Sequence, residues 1–223
     1  MTTVLGIDSA GPRIGVALLH ADTVHERVAE GGRGTERQLV GLVAELCDEA
    51  GIAARVIDAV AVSVGPGAFT GLRVGLATAG GLAQALGRPV VPLGSLEPRA
   101  RQEGFGGDLL VMLDARKQRV YAAAWHDTER VRPAADVSPG EAVAWLSGPF
   151  RATGAGAAVY ADAVTEAGGI VVADPTHPGV GQLVRLGAER IGMAIAPTAL
   201  TPRYLREPDA VVKRDRGPRR SGG

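Results

Sequence analysis

A glycine-rich turn between a buried strand and an apolar helix constrains this chain more than any other stretch. Residues 58–64 (Asp-Ala-Val-Ala-Val-Ser-Val) have the apolar run of a buried strand, and an apolar helical pattern runs from Gly71 to about Leu86. Between and into them lies Gly65-Pro66-Gly67-Ala68-Phe69-Thr70-Gly71-Leu72-Arg73-Val74-Gly75. A strand-to-helix turn of this kind can aim backbone N–H groups at an anion. It satisfies neither familiar phosphate fingerprint. A P-loop closes on Gly-Lys-[Ser/Thr], whereas Gly71 is followed by Leu72 and Arg73; G-x-G-x-x-G is met at 65 and 67 but has Thr70 in third place.

The helix after the turn carries its own pattern. Gly71, Gly75 and Ala79 recur every four residues on one face, and Thr78, Gly81 and Ala85 add small residues to that side. An interior glycine costs a helix about 0.5–1 kcal/mol against alanine. A helix that keeps Gly75, Gly80 and Gly81 therefore gains close backbone approach in return. Two arrangements provide it: tight packing within the chain, or a helix pair between molecules with Phe69 and Leu72 as apolar anchors. In the second, a bulky residue at Gly75 weakens binding more than folding.

The flanking sequence has the marks of an α/β protein in two blocks. Residues 3–9, 14–19 and 23–28 read as a strand meander, whose connections are too short for parallel crossovers. A helix is expected over 35–50, with Leu39, Leu42, Val43, Leu46 and Cys47 on one face, followed by strand 58–64, helix 71–86 and a short strand at 89–93. Gly104, Gly106 and Gly107 mark a boundary, after which 108–113 and 119–125 form a second hairpin. Helices over 139–147, 157–167 and 179–193 and strands near 150–153 and 170–173 complete the second block. Both blocks open on a hairpin and continue with alternating helices and strands, the pattern of a duplicated unit. The division is thus 1–104, 105–212 and a basic tail, 213–223, with the composition of a disordered segment.

With 223 residues, 46% of them hydrophobic, the chain is long enough for such cores. A formal net charge of zero argues against nucleic-acid binding by electrostatics alone. The single cysteine, Cys47, permits no intrachain disulfide and sits in a helical pattern as a core residue would; a cytoplasmic protein is expected. No signal-peptide pattern opens the sequence, and no apolar run reaches membrane-spanning length.

Few residues offer chemistry. Asp8-Ser9 ends the first strand at a hairpin, where an acidic residue either satisfies turn N–H groups or faces a phosphate; Asp114 holds the equivalent place in the second block. His20, His25, His126 and His177 are scattered and form neither H-x-x-x-H nor H-E-x-x-H, so a metal site is not expected. No Gly-x-Ser-x-Gly elbow surrounds Ser63 or Ser95. The basic tail residues Lys213, Arg214, Arg216, Arg219 and Arg220 suit solvent or RNA phosphate.

Several stretches together resemble the TsaB family of bacterial tRNA threonylcarbamoyladenosine biosynthesis proteins. They are Leu5-Gly6-Ile7-Asp8-Ser9 with Gly15-Val16-Ala17-Leu18, the Gly65–Gly75 motif, Leu113-Asp114-Ala115-Arg116 with Val120-Tyr121, and Tyr204-Leu205-Arg206-Glu207-Pro208-Asp209-Ala210. They run in family order over residues 4–210. The resemblance implies a two-lobed fold of the actin, heat-shock-chaperone and sugar-kinase (ASKHA) type, with a duplicated mixed-sheet unit flanked by helices. It implies a non-catalytic subunit with no catalytic residue or metal of its own, paired with the transferase TsaD and, through that complex, with the ATPase TsaE. It also implies a homodimer when alone, contact with tRNA only through the complex, and no intrinsic cofactor, ATP or ADP belonging to the complex interface. Carried onto this chain, the partner interface is Gly65, Pro66, Gly67, Phe69, Thr70, Gly71, Leu72, Arg73, Gly75 and Ala79, with helices 35–50 and 71–86. Asp8 and Ser9 are the phosphate-facing candidates. The family often has His before the hydroxyl residue opening the first long helix; here the pair is Gly34-Thr35, leaving Thr35 to cap. The competing readings are an autonomous ATP-dependent kinase of the same fold, which needs a second phosphate loop, and a metallopeptidase, which needs a ligand pair.

Overall fold

The computed structural model describes residues 2–104 and 106–206. The tail 213–223 and the Glu207–Ala210 part of the family-like motif lie outside the described residues. In the first half β1 (Val4–Asp8), β2 (Arg13–His20) and β3 (Thr23–Glu30) form an antiparallel meander, followed by α1 (Thr35–Glu49), β4 (Ala59–Gly65), α2 (Phe69–Leu86), β5 (Val90–Gly94) and α3 (Leu96–Gln102). The sheet order is β3-β2-β1-β4-β5, with β4 parallel to β1 and β5 parallel to β4. The second half contains β6 (Asp108–Asp114), β7 (Val120–His126), β8 (Glu129–Val137), α4 (Pro139–Val143), β9 (Phe150–Thr153), α5 (Ala155–Val159), α6 (Ala161–Glu166), β10 (Gly169–Val171) and α7 (Val180–Glu189). Its sheet reads β8-β7-β6-β9-β10, the same order with the same strand directions. The duplication expected from the sequence is real, and the fold is the two-lobed ASKHA-like type.

Burial explains the strand patterns. Every residue of β1 and β4 is buried, because these central strands are covered on both faces. One face of the first sheet packs Leu5, Ile7, Val16 and Val62 against Leu39, Val43 and Leu46 of α1 and Leu72, Leu76 and Ala79 of α2. On the opposite face, Val4, Ala17 and Ala61 meet Val180, Leu183 and Val184 of α7. The second sheet likewise packs Leu110, Met112 and Ala122 against α4, α5 and α6, and Leu109, Val111 and Trp125 against Leu96 and Ala100 of α3. The layers run α1/α2, first sheet, α3/α7, second sheet, α4–α6.

Four local differences from the sequence reading have physical causes. Helix α3 is unannounced in the sequence, because Leu96-Glu97-Pro98-Arg99-Ala100-Arg101-Gln102 is short and charged; it forms where Leu96 and Ala100 cover the second sheet. Strand β8 is an edge strand whose first five residues are exposed, so it lacks the apolar alternation that marks a strand. The helix expected over 157–167 is broken at Tyr160 (φ −112°, ψ 38°) into α5 and α6. Thr35 does not cap α1. Gly34, in the left-handed region at φ 83°, is the cap position, while the Thr35 hydroxyl donates to the Gly32 carbonyl and accepts from the Gly32 N–H.

The boundary near residue 104 falls between α3 and β6, separating the two sheets. Helix α7 lies beyond that boundary yet packs on the first sheet, and the chain then returns along it. Val90 and Ile195 exchange backbone hydrogen bonds of 2.9 and 2.8 Å, and Arg203 N–H donates to the Val64 carbonyl at 2.7 Å.

Candidate functional site: the glycine turn and the inter-lobe cleft

The glycine turn owes its composition to contacts within the chain. Gly65 has φ 118°, where a side chain is strained, and a Cβ there would run into the Arg203 carbonyl. A Cβ on Gly67 would collide with Ala10, one on Gly71 with the Ser9 carbonyl oxygen, and one on Gly75 with the Ser9 hydroxyl. The start of α2 is thus pressed against the β1–β2 hairpin, and the Ser9 hydroxyl donates to the Gly71 carbonyl at 2.8 Å. The face bearing Gly71, Gly75 and Ala79 points inward. Leu72 is 1% exposed and Ala79 fully buried, so Leu72 is a core residue and not an anchor for a second molecule. Of the ten residues assigned to a partner surface, Phe69, Thr70 and Arg73 are exposed; Gly65, Pro66, Gly67, Leu72, Gly75 and Ala79 are buried and Gly71 half-buried. Helical periodicity groups Gly71, Gly75 and Ala79 correctly, but the surface meeting Gly71 and Gly75 is the protein's own hairpin, and Gly81 and Ala85, which the pattern puts on the same side, are exposed.

Asp8 and Ser9 are both buried, and neither lines the inter-lobe cleft. Asp8 is fully buried, and its carboxylate is gripped by both terminal nitrogens of Arg99, each at 3.0 Å. It accepts further hydrogen bonds from the Ser63 hydroxyl and from the Ala10 N–H at 3.0 Å. Arg99, 2% exposed, also donates to the Ser95 carbonyl at 2.6 Å, and the Ser95 hydroxyl donates to the Pro66 carbonyl. This buried network joins β1, β4, α3 and the glycine turn. A bidentate guanidinium–carboxylate pair with its remaining lone pairs filled satisfies two charges that would otherwise be costly to bury. Nothing in the sequence singles out Arg99, since one arginine in a charged segment carries no signal of burial.

The second half repeats the construction. A Cβ on Gly154 would collide with the Met112 carbonyl, and one on Gly156 would press on the Met112–Leu113 backbone, as Gly67 and Gly71 press on the first hairpin. Asp114 Oδ1 accepts from the Arg116 N–H at 2.8 Å, the counterpart of the Asp8–Ala10 bond. Between the two constructions lies a cleft of about 820 Å³. Ala10–Pro12 and the α2 N-terminus form one wall, Leu113–Lys117 with Ala155 and Val159 the other, and Tyr204 and Arg206 line it too. Arg116 and Lys117 on the second wall, and Gln118 after them, have left-handed φ of 59°, 54° and 58°, an uncommon and strained run for side-chain-bearing residues. Arg206 donates to the Ala115 carbonyl and stands 3.7 Å from Asp136. Burial, and secondarily Asp114, pushes the Tyr160 phenol up.

At the rim sits an aromatic–guanidinium cluster. The Phe69 and Tyr204 rings stack with centroids 5.1 Å apart, the Arg73 guanidinium lies 3.8 Å above the Phe69 ring, and Arg73 Nε donates to the Tyr204 hydroxyl at 3.1 Å. A second groove of about 450 Å³ continues from it between α2 and the segment Pro197–Tyr204, past Leu76, Ala77 and Gly80. The histidines are dispersed: His20 pairs with Thr3, His25 with Glu49, His126 with Asp108 and His177 with Glu26. No group of three or more His, Cys, Asp or Glu is arranged to hold a metal among the described residues. Cys47 is buried, which pushes its thiol up. No helix among the described residues is long and apolar enough to cross a membrane.

Comparison with known proteins agrees with this architecture. The family model described as "TsaD: tRNA N6-adenosine threonylcarbamoyltransferase" matches residues 26–156. An uncharacterized protein of Mycobacterium tuberculosis is 36% identical over 218 residues, covering 94% of each chain. The tRNA threonylcarbamoyladenosine biosynthesis protein TsaB of Escherichia coli is 28% identical, covering 74% of this chain and 76% of the relative, and that of Bacillus subtilis is 31% identical, covering 55% of each. Among solved structures, YeaZ from Pseudomonas aeruginosa superposes with a TM-score of 0.76 at 27% identity, over 92% of this chain and all of the other.

Proposed function

The chain belongs to the TsaD (tRNA N6-adenosine threonylcarbamoyltransferase) family as a TsaB-type protein, and from that premise we propose that it is the non-catalytic subunit of the complex making threonylcarbamoyladenosine in tRNA. Its part in that biosynthesis follows from the family; the division of labour is the proposal. The observation that carries it is the sealing of Asp8. A kinase of this fold needs a carboxylate at the cleft to meet phosphate or metal, and here that carboxylate is spent on Arg99, Ser63 and a backbone N–H. Among the described residues the first wall of the cleft carries no acid, and the function moves to a surface.

That surface is the outer side of α1 and α2. Val40 on α1 is half exposed, a Cβ added at Gly41 or Gly81 would meet nothing within 4 Å, and Phe69, Thr70, Arg73 and Ala77 are exposed along α2. Aromatic and arginine side chains held rigid by one another, as Phe69, Arg73 and Tyr204 are, carry a large share of association energy at protein interfaces. The partner is TsaD, with TsaE joining through the complex and tRNA reached through it; alone, the chain pairs with a second copy through the same surface. The test is light scattering of the chain alone and mixed with TsaD of the same organism, alongside threonylcarbamoyl transfer to tRNA. A heterocomplex that restores transfer, and is weakened by Arg73→Glu at unchanged unfolding midpoint, supports the proposal. No association, together with ATP turnover by the chain alone, overturns it in favour of the autonomous kinase.

A further inference from the structure

The groove between α2 and the segment Pro197–Tyr204 has one-sided chemistry. It holds about 450 Å³, room for a short stretch of a partner and not for a domain. Leu76, Ala77 and Gly80 line it on α2, Leu200 and Pro202 face them, and Arg73 with Tyr204 also lines it. Among the described residues Arg73 is the one charged group in that lining. The asymmetry extends beyond the groove. The chain carries 24 acids, yet neither α2 nor residues 190–206 contains one; the charges there are Arg73, Arg190, Arg203 and Arg206. Arg190 is engaged by Glu97, and Arg206 by the Ala115 carbonyl and Asp136. Arg73 and Arg203 are exposed, and neither side chain meets a carboxylate among the described residues. Helix α1, next on the same surface, is the reverse, with Glu36, Glu45 and Asp48 exposed.

Arg73 is also fixed in orientation. Its guanidinium lies over the Phe69 ring and its Nε donates to the Tyr204 hydroxyl, which leaves the terminal nitrogens to face outward contacts. A guanidinium held in this way beside an apolar groove, with no carboxylate of its own, suits a carboxylate brought from outside next to an apolar side chain. A phosphate backbone fits less well, since it calls for a run of cations and would leave Leu76, Leu200 and Pro202 uncovered. We propose that this groove docks an acidic, partly apolar segment of the partner protein. A large apolar side chain of that segment seats between Leu76 and Leu200, and a neighbouring Asp or Glu pairs with the Arg73 guanidinium. The inference rests on the partner-subunit reading, because the groove opens from the surface assigned to the partner, and it names the chemistry the partner brings there. Holding Arg73 in place beforehand reduces the freedom lost when the pair forms.

Opposite charges at Ala77 test it. Ala77 is exposed, lines the groove and stands one helical turn beyond Arg73, so a charge there meets the docked segment without entering the core. Ala77→Glu should weaken association with TsaD of the same organism at least about tenfold, and Ala77→Lys should tighten it and steepen its salt dependence. Gly80→Leu fills the groove from its α2 side, where an added Cβ stands 3.8 Å from Leu200, and should weaken association as well. None of the three should lower the urea unfolding midpoint. Opposite signs at Ala77, with loss at Gly80→Leu, support the proposal. Equal weakening by both charges overturns it, by showing a contact that carries no acid. A TsaD complex indifferent to all three variants overturns it and leaves the partner-subunit reading standing. Variants that shift only self-association, or only tRNA binding by the chain alone, overturn it in favour of a second copy or of RNA. Failure of the partner-subunit reading looks different: the unaltered chain forms no complex with TsaD, and this inference falls with it.

Discussion

Two glycines of one helix should respond oppositely to the same substitution. Gly71 and Gly81 both lie in α2, but a Cβ on Gly71 would stand 2.2 Å from the Ser9 carbonyl oxygen, whereas one on Gly81 would meet nothing within 4 Å. Alanine gains up to about 1 kcal/mol over glycine in a helix interior. At Gly81 nothing opposes that gain. At Gly71 the obstacle is backbone, so α2 or the hairpin must shift, and overpacking of this kind costs about 1–3 kcal/mol. The expected outcome is a gain of about 1 kcal/mol for Gly81→Ala and a net loss of about 1–2 kcal/mol for Gly71→Ala. Urea unfolding of the isolated chain reads the gap. With a slope of about 2 kcal/mol per molar, the two midpoints should separate by about 1 M at unchanged slope. Gly75 adds a control, because its obstacle is the Ser9 hydroxyl and the next atom, Ser9 Cβ, stands at an ordinary 3.4 Å. Ser9→Ala should therefore relieve Gly75→Ala and leave Gly71→Ala as damaging as before. If Gly71→Ala and Gly81→Ala both stabilise, the inward orientation of this face is wrong and the partner-facing arrangement returns.

Arg99→Met should destabilise the chain by about 3–5 kcal/mol, because it leaves the Asp8 carboxylate buried without its countercharge. Pairing it with Asp8→Asn should recover most of the loss, as the shift in urea midpoint will show. Glu26 tests acid stability: the hydrogen bond to His177, then the charge of that imidazole and a bond from the Gly181 backbone, hold its carboxyl below the usual 4.5 against the raising effect of burial. A depressed carboxyl stabilises the fold above its ordinary range and loses that contribution as pH falls through 4.5 and the lower folded value. Glu26→Gln should therefore flatten the acid limb of a melting-temperature profile taken between about pH 3 and pH 7 and leave its neutral limb parallel.

Much of this architecture is legible where periodicity and punctuation agree. The first meander, α1, β4, α2 and the β6–β7 hairpin stand close to the expected bounds because apolar pattern and glycine stops coincide there. Gly87, for one, closes α2 at φ 64° with its N–H on the Ala83 and Gln84 carbonyls. What escapes is whatever tertiary contact alone creates. Strand β8 is held by pairing with β7, not by its own exposed residues, although the duplication itself implies a third strand in the second block. Helix α3 exists because two sheets meet around it. The site shows the same limit: spacing locates the small-residue face of α2 and the turn aspartate, but not what each would face. Ser9 and Arg99 are 62 and 91 residues distant from Gly71 and Asp8 respectively, and no local pattern carries such a pairing.

The return of α7 to the first sheet sets the order in which a growing chain can finish its parts. The α1/α2 side of that sheet can close once β5 has emerged, because Val60, Val62 and Val90 pack with segments already made. The other side, Val4, Ala17, Ala61 and Val91, has to wait for Val180, Leu183, Val184 and Leu186. Throughout synthesis of the whole second sheet, the earliest strands thus hold an apolar face toward water. Such a face is open to chaperones and to like chains. The last α-helix among the described residues is therefore the one that seals the first strands laid down, and on the ribosome the N-terminal half is a client before it is a domain.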